Sequence, residues 1–182
     1  KDRIVEIASK IKNDYGIESL AHLTCISSTK EEIQKIFNQL KENNIENVLA
    51  LRGDIPEDPD FEFPTPLHYE YACDLVKEAK AEKFFSIGAA CYPEKHIDCE
   101  SKVKDIKYLK EKVDQGVDFL VSQLFFDNEL FYRFMEEIEL AGIDLPVSAG
   151  IMPVLNKNQI LRITKLSGCS IPPKFRRILD RY

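Results

Sequence analysis

Hydrophobic residues along the chain recur with two periods, one typical of helices and one typical of buried strands. Residues 2–15 have helical spacing, and Gly16 follows as a helix stop. The run 19–24 resembles a strand, residues 29–32 have the form of a capping box that opens a second helix, and the apolar run 48–51 predicts a parallel strand buried on both faces. The residues predicted to line the buried faces of these two helices are Ile4, Ile7, Ala8, Ile11 and Tyr15, and then Ile33, Ile36, Phe37 and Leu40.

The same alternation continues to the C-terminus. Gly116, Gly142 and Gly168 lie 26 residues apart each time, a spacing that fits one strand plus one helix. The pattern predicts further strands at 85–90, 118–126 and 147–151, and further helices near 68–82, 101–115, 128–141 and 160–166. Phe131, Phe134, Met135 and Ile138 mark the buried face of one of these helices, and Ile160, Ile163 and Leu166 that of the last.

Strictly alternating strands and helices imply a parallel sheet with right-handed crossovers. Two architectures satisfy that pattern, an open doubly wound sheet and a (β/α)8 barrel, and periodicity alone does not decide between them. A full barrel needs eight strands in about 250 residues. Five strands are predicted in these 182 residues, which form one domain.

Composition and charge narrow the class of protein. The chain is 44% hydrophobic and 31% charged, as in globular proteins, and its net charge of -6 gives no general attraction to nucleic acid or acidic membranes. A basic cluster near the C-terminus, Lys174, Arg176, Arg177 and Arg181, is expected to solvate a terminal helix. The five cysteines form no C-x-x-C pair, and no apolar run is long enough to span a bilayer, so we expect a cytoplasmic protein without disulfides.

Polar residues and glycines follow each predicted strand, where parallel α/β folds place their chemistry. The triplet Arg52-Gly53-Asp54 offers a forked cation, close backbone approach and a carboxylate, or else a salt-bridged turn. Tyr92 suits stacking on a planar ligand or plain packing. The loop 55–66, with four prolines and four acidic residues, is either a cover for a site or a neutral insertion.

A second group of polar residues lies further from the strand ends. Asp105, Tyr108 and Lys112 share a helical face that is either solvated or turned toward a bound dinucleotide. A metal site that includes His22 and His96 is an alternative. No ligand spacing supports it, and we expect no metal. Neither a Rossmann nor a Walker fingerprint is present.

Taken in order, these segments resemble the flavin-dependent methylenetetrahydrofolate reductase family of the bacterial type. Each match is weak alone, but together they cover almost the whole chain in the family's order. The matching stretches are His22-Leu23-Thr24-Cys25, Ala50-Leu51-Arg52-Gly53-Asp54, Tyr71-Ala72-Cys73-Asp74-Leu75-Val76, Ala90-Cys91-Tyr92-Pro93-Glu94 with His96, Lys112-Val113-Asp114-Gln115-Gly116, Gln123-Leu124-Phe125-Phe126-Asp127 and Ala149-Gly150-Ile151-Met152-Pro153.

The resemblance implies a (β/α)8 TIM-type barrel, incomplete in this chain, with about five of eight strands present. It implies FAD-dependent reduction of 5,10-methylenetetrahydrofolate to 5-methyltetrahydrofolate by NADH or NADPH in a ping-pong reaction of one-carbon metabolism and methionine biosynthesis. Asp54 and Gln123 would be catalytic, and Asp54, Gln123 and Gln159 would touch substrate. The implied FAD contacts are His22, Leu51, Arg52, Gly53, Asp54, Tyr71, Ala72, Tyr92, His96, Asp105 and Lys112.

The same resemblance implies parts that residues 1–182 do not contain. The chain begins at what resembles the family's second helix, so the glutamate that ends the family's first strand and assists substrate protonation has no counterpart, nor has the eighth strand. We therefore expect part of a longer protein that is a homo-oligomer or has a partner subunit. Two alternatives remain, a non-catalytic flavin- or folate-binding fragment or subunit, and a metal-dependent barrel enzyme using His22, Asp54 and His96.

Overall fold

The predicted alternation of strands and helices is present in the computed structural model, which describes residues 2–56, 58–153 and 155–181. The first helix, α1 (Asp2–Ser9), passes directly into a short π-helical segment, Lys10–Asp14. The strands are β1 (Leu20–Thr24), β2 (Asn47–Leu51), β3 (Ser86–Cys91), β4 (Phe119–Leu124) and β5 (Val147–Gly150). The helices are α1 (Asp2–Ser9), α2 (Lys30–Glu42), α3 (Ala72–Ala81), α4 (Lys102–Asp114), α5 (Asn128–Leu140), α6 (Lys157–Ser167) and α7 (Pro173–Leu179).

The five strands form one parallel sheet in the order β1-β2-β3-β4-β5. A doubly wound sheet reverses its strand order at a switch point, whereas a barrel adds each new strand beside the previous one. The observed order has no reversal. The sheet is therefore consistent with part of a (β/α)8 barrel and not with the doubly wound alternative.

The chain divides into two compact units. The first comprises Lys1–Ala89 with Lys112–Phe119. Its core is the helix-facing side of β1, β2 and β3, where Ala21 pairs with Val48 and Val48 with Ile87. The second helix packs there as its pattern predicts, and all four of its predicted apolar residues are buried. Thr29 caps this helix reciprocally with Glu32, which confirms the predicted capping box.

The second unit comprises Ala90–Glu111 with Leu120–Tyr182. Leu120 of β4, Phe134 and Ile138 of α5 and Ile160 of α6 are its largest fully buried side chains. Phe125 and Phe131 stack with ring centroids 4.6 Å apart, which joins the end of β4 to the first turn of α5.

Three details of the predicted helices are wrong. In α1, Ile7 is exposed and Val5 is buried instead. Tyr15, which follows the π-helical segment, is also exposed, because that segment changes the angular spacing after Ser9. The third helix starts at Ala72 and not near residue 68, since the Asp74 carboxylate accepts from the backbone N–H of Tyr71 and ends the preceding loop there. In α6, Leu166 is exposed.

Three further features considered in the sequence can be located in the structure. In the described part of the chain no helix is long and apolar enough to cross a membrane. All five cysteines are free thiols, and three of them are buried. The cations Lys174, Arg176 and Arg177 are exposed on the short C-terminal helix α7.

Candidate functional site

The ends of β1 and β2 in the first unit carry the first group of predicted site residues. Ala21 and Leu23 of β1 point to the buried side, whereas His22 between them is exposed and Thr24 is half-buried. Thr24 pairs with Leu51, the last residue of β2, which is also half-buried. His22, Thr24 and Leu51 therefore lie on one side of the sheet and are accessible at the ends of β1 and β2, although Leu49, which pairs with His22, is buried.

Cys25 ties the loops that follow these two strands. Its backbone N–H and that of Ile26 both donate to the carbonyl oxygen of Arg52, at 3.1 and 2.9 Å. Its thiol donates to the carbonyl oxygen of Tyr71, with 3.7 Å between the two atoms. Burial, followed by the nearby Asp74 and Cys73, raises the pKa of the Cys25 thiol to about 12, so this cysteine is an inert structural group.

The backbone at Gly53 could not accept a side chain. Its φ is +84°, in the left-handed region, and a Cβ would lie 2.9 Å from Thr24 Cβ. The chain after β2 therefore passes close over the end of β1, and Asp54 beyond it is exposed to solvent. This close approach gives a physical reason for the glycine in the Arg52-Gly53-Asp54 triplet.

Tyr71, Ala72 and Lys112 complete the predicted residues of the first unit. Tyr71 stands at the N-terminus of α3 with 55% of its surface exposed, and Ala72 begins the helix half-buried. Lys112 is close enough to Cys73 to act on its thiol electrostatically, opposing the rise in pKa that burial and Asp74 cause. The first unit thus brings together the ends of β1 and β2, the start of α3 and one cation near α3.

The loop from β2 to α3 contains neither helix nor strand among its described residues. It is anchored near its end by Tyr69, which is 1% exposed and donates a 2.6 Å hydrogen bond from its hydroxyl to Glu78. Phe61 and Phe63 contact each other edge to face within it. Both interpretations of residues 55–66, a cover or an insertion, stay open.

Tyr92 and His96 form the first half of the predicted site in the second unit. Their ring centroids are 4.7 Å apart and the rings are almost perpendicular, so the Tyr92 ring is held edge-on by the imidazole. Lys95 between them has a φ of +88°, and its amine donates to the carbonyl oxygens of His96, Ile97 and Cys99, which closes the loop on itself.

Lys102 was not predicted, yet it is a second support of that loop. Its amine donates to the carbonyl oxygens of Tyr92 and Pro93 and lies 4.4 Å from the centre of the Phe134 ring. Burial lowers the pKa of this amine, although Glu137 at 3.8 Å opposes the shift. A lysine at a helix N-terminus is electrostatically unfavourable, but α2 and α6 also begin with lysine, so that signal in the sequence does not single out Lys102.

Gln123 lies at the end of β4, where Tyr92, Glu94 and Cys169 line the same shallow depression. Its carboxamide oxygen accepts a 2.9 Å hydrogen bond from the backbone N–H of Leu124. Asp105 is half-buried in the first turn of α4, and Gln159 is exposed in the first turn of α6. Gln123 is thus grouped with Tyr92 in the second unit.

The metal alternative gains no support from the described residues, since no three His, Cys, Asp or Glu side chains gather there as ligands of an ion would. His22 and Asp54 belong to the first unit and His96 to the second.

Comparison with known proteins gives one consistent family. The sequence profile of the family described as Methylenetetrahydrofolate reductase matches residues 1–181. The 5,10-methylenetetrahydrofolate reductase of Escherichia coli K12 is 37% identical over 180 residues, which is 99% of this chain and 59% of that protein. Methylenetetrahydrofolate reductase (NADH) 1 of Zea mays is 37% identical over 98% of this chain and 32% of its own length. The chain thus spans about a third to three-fifths of these relatives.

The fold has a counterpart among solved structures. A protein described as an uncharacterized protein from Clostridium thermocellum that binds two copies of 5-methyl-5,6,7,8-tetrahydrofolic acid superposes with a TM-score of 0.60. The match covers 94% of this chain and 58% of that one at 13% identity, so it bears on the fold alone. With the family profile matching nearly every residue, this chain belongs to the methylenetetrahydrofolate reductase family.

Proposed function

We propose that the complete polypeptide reduces 5,10-methylenetetrahydrofolate to 5-methyltetrahydrofolate with NADH or NADPH and FAD, and that this chain supplies most of the flavin-binding part of an incomplete (β/α)8 barrel. Residues 1–182 are proposed to belong to one domain of that barrel. The observation that supports the proposal best is that His22, Thr24 and Leu51 are accessible at the ends of β1 and β2, while Ala21 and Leu23 are buried on the other side of β1.

The chemistry of the first unit fits a flavin dinucleotide. An exposed imidazole and a half-buried leucine offer polar and apolar contact on one open surface, and the Gly53 backbone lacks the side chain that would fill the space above Thr24. Arg52 and Lys112 supply cations suited to a pyrophosphate. When bound, FAD accepts a hydride from the reduced nicotinamide and passes it to the folate, in two half-reactions.

Each residue of the first unit then has a role set by its position. His22, Leu51, Arg52, Gly53, Tyr71, Ala72 and Lys112 bind the cofactor, with the Cys25 hydrogen bonds fixing the loops that present Arg52 and Tyr71. Asp54, exposed after the glycine, places a negative charge beside the flavin ring and orients the pterin. With FAD bound, the negative charge of Asp54 would lower the reduction potential of the flavin.

The second unit is proposed to recognise both cofactor and substrate. Tyr92, His96 and Asp105 contact FAD, with the Tyr92 ring orientation fixed by its edge contact with His96. Gln123 hydrogen-bonds the pterin and the nicotinamide carboxamide in turn. Its oxygen already accepts from Leu124, which leaves the two N–H donors of its amide for a ligand. Gln159, exposed at the start of α6, touches the substrate.

The electron donor remains open between NADH and NADPH, because relatives are named for each. The Zea mays and Arabidopsis thaliana proteins are named for NADH and the Caenorhabditis elegans protein for NADPH. A place in one-carbon metabolism and methionine biosynthesis, a cytoplasmic location, and assembly as a homo-oligomer or with a partner subunit belong to the same proposal.

A binding function without turnover is the second candidate. The structural neighbour from Clostridium thermocellum is described only as binding 5-methyl-5,6,7,8-tetrahydrofolic acid. Under this hypothesis the complete polypeptide binds folate or flavin, alone or with a partner subunit, and reduces no methylenetetrahydrofolate. Turnover by the FAD-loaded polypeptide would exclude this candidate.

The role of Gln123 separates the reductase from a general flavoprotein. In the complete polypeptide, Gln123→Glu should slow folate reduction by about a hundredfold, since an acceptor replaces the amide donor facing the ligand, while FAD stays bound. Gln115→Glu, in the exposed turn after α4, is the matched control. It should change neither the rate of folate reduction nor the FAD content. Stopped-flow measurement of the two half-reactions, with FAD content from the visible spectrum, gives both results. Loss of FAD from the Gln123 variant would contradict the assignment.

A further inference from the structure

The C-terminal end of β4 contains a β-bulge that includes Gln123. Val121 pairs with Ser148 and Leu124 pairs with Gly150, so β4 uses two residues, Ser122 and Gln123, where β5 uses one. A bulge of this kind bends its strand and redirects a side chain, and such bulges are common beside active sites.

The hydroxyl of Ser122 makes the hydrogen bonds that close the bulge. It accepts from the backbone N–H of Gly150 at 2.9 Å and donates to the carbonyl oxygen of Gln123 at 3.0 Å. Ser122 is only 5% exposed, and it occupies a position where the alternation of β4 calls for an apolar residue. A buried hydroxyl with a donor on one side and an acceptor on the other has a specific bonding role.

Gly150 permits this arrangement because β5 approaches the bulge very closely. A Cβ on Gly150 would lie 2.3 Å from the carbonyl oxygen of Ser122 and 3.0 Å from the carbonyl carbon of Gln123. Any side chain would push the two strands apart and break the hydrogen bond from the Gly150 N–H to Ser122. The bulge, the serine and the glycine therefore form one local device.

The consequence for Gln123 is a fixed carboxamide. With its backbone carbonyl held by Ser122, the Gln123 side chain folds back so that its oxygen accepts from the N–H of the next residue, Leu124. This orients the amide nitrogen away from the strand backbone. Without the Ser122 hydroxyl, the local backbone and the direction of the amide donors are no longer set.

We infer that Ser122 is the positioning residue for Gln123: its hydroxyl holds the β4 bulge against Gly150 and thereby aims the Gln123 amide donors at a ligand. The inference rests on the proposed role of Gln123 in binding folate and nicotinamide. Ser122 itself touches neither substrate nor cofactor, and its effect on them passes through Gln123.

A double-mutant cycle in the FAD-loaded complete polypeptide tests this route. Ser122→Ala should raise KM for methylenetetrahydrofolate about tenfold, with kcat changed less and FAD content unchanged. In a Gln123→Ala background the same change should cost less than about twofold, because the residue being positioned is gone. Ser122→Thr keeps the hydroxyl and should restore most of the affinity, and Ser148→Ala, exposed on β5, is the matched control.

A measurement that does not depend on folate separates a failure of the Ser122 inference from a failure of the proposed role of Gln123. Ser122→Ala should speed hydrogen exchange of the Gly150 amide and shift the side-chain amide resonance of Gln123 in an ¹⁵N spectrum. Should Gln123→Ala leave folate kinetics unchanged, the proposed role of Gln123 fails, and these two signals alone decide whether Ser122 positions it. If Ser122→Ala fails to fold, Ser122→Cys, with its weaker thiol, supplies the same comparison.

The expected result is therefore coupling between Ser122 and Gln123, rescue by threonine, and a disturbed Gln123 amide. Equal effects of Ser122→Ala with and without Gln123 would overturn the inference, as would an unchanged Gln123 resonance and Gly150 exchange rate in the alanine or cysteine variant.

Discussion

The amine of Lys102 lies 2.8 Å from the carbonyl oxygen of Tyr92, so the first residue of α4 holds the residue that follows β3. The same amine bonds Pro93 and packs on the Phe134 ring, which joins the loop to α5. The backbone at Tyr92 and Pro93 is therefore held by one half-buried cation, while Lys95 holds the rest of the loop.

Removing that cation tests whether it shapes the proposed flavin contacts. Lys102→Met should lower the stability of the protein by about 2 kcal/mol, because two buried carbonyl groups lose a charged donor. It should also weaken FAD binding about tenfold through the freed loop. Urea unfolding and a fluorescence titration with FAD measure the two effects. Lys104→Met is the control, since Lys104 is half exposed and pairs only with Glu100 one turn away. Equal results for the two variants would contradict the role of Lys102.

Gly53 and Gly16 allow backbone strain to be separated from steric conflict. Both have positive φ, +84° and +65°, but a Cβ on Gly16 meets nothing within 4 Å, whereas one on Gly53 meets Thr24. Gly16→Ala should cost about 1 kcal/mol of stability from strain alone. Gly53→Ala should cost about 2 to 4 kcal/mol and weaken FAD binding, because the loop must move away from β1. Urea unfolding measures both stabilities. Equal losses of stability in Gly16→Ala and Gly53→Ala would mean that the close approach of Gly53 to Thr24 is unimportant.

Glu82 gives a prediction about how the stability of the protein depends on pH. It accepts from Lys41 and Gln34, and these hydrogen bonds from α2 hold the pKa of its carboxyl below the ordinary value of 4.5. A lowered pKa means that the stabilisation is fully present above pH 4.5 and is lost as the pH falls through the lower folded value. Glu82→Gln should therefore be less stable than the parent by about 1 kcal/mol at pH 7, and the gap should close in acid. Glu42→Gln, on the exposed end of α2, is the control. A gap that does not narrow as the pH falls below the ordinary carboxyl range would refute the assigned cause.

Asp54 is expected to act on one half-reaction more than the other. Asp54→Asn removes the negative charge beside the flavin ring, which should raise the reduction potential and slow folate reduction about tenfold more than nicotinamide oxidation. A potentiometric titration and stopped-flow kinetics measure these effects, with Asp58→Asn, exposed in the same loop, as the control. Equal slowing of both half-reactions would speak against the role given to Asp54.

The order of elements could be predicted from the sequence because each helix and strand buries its own apolar residues at a regular period. The second helix is an example: its capping box and its four buried apolar residues are local properties of residues 29–40. The start of α3 could not be predicted in the same way. It depends on whether Asp74 or an earlier residue satisfies the free backbone N–H groups, and several residues near 68 could have done so.

Candidate site residues could be predicted at the strand ends, but their supports could not. Arg52, Gly53, Tyr92 and Gln123 follow or end strands, and that rule depends only on topology. The bonds from Lys102 to Tyr92 and from Gly150 to Ser122 join residues 10 and 28 positions apart, so they require the folded backbone.

The central claim is that the complete polypeptide is a flavin-dependent methylenetetrahydrofolate reductase. The most direct measurement is to purify that polypeptide, load it with FAD, and follow oxidation of NADH and NADPH with methylenetetrahydrofolate as acceptor, identifying the product by mass spectrometry. We predict a bound flavin, parallel-line ping-pong kinetics with one of the two nucleotides, and 5-methyltetrahydrofolate as product. A colourless protein that takes up no FAD, or a flavoprotein that forms no 5-methyltetrahydrofolate with either nucleotide, would contradict the account.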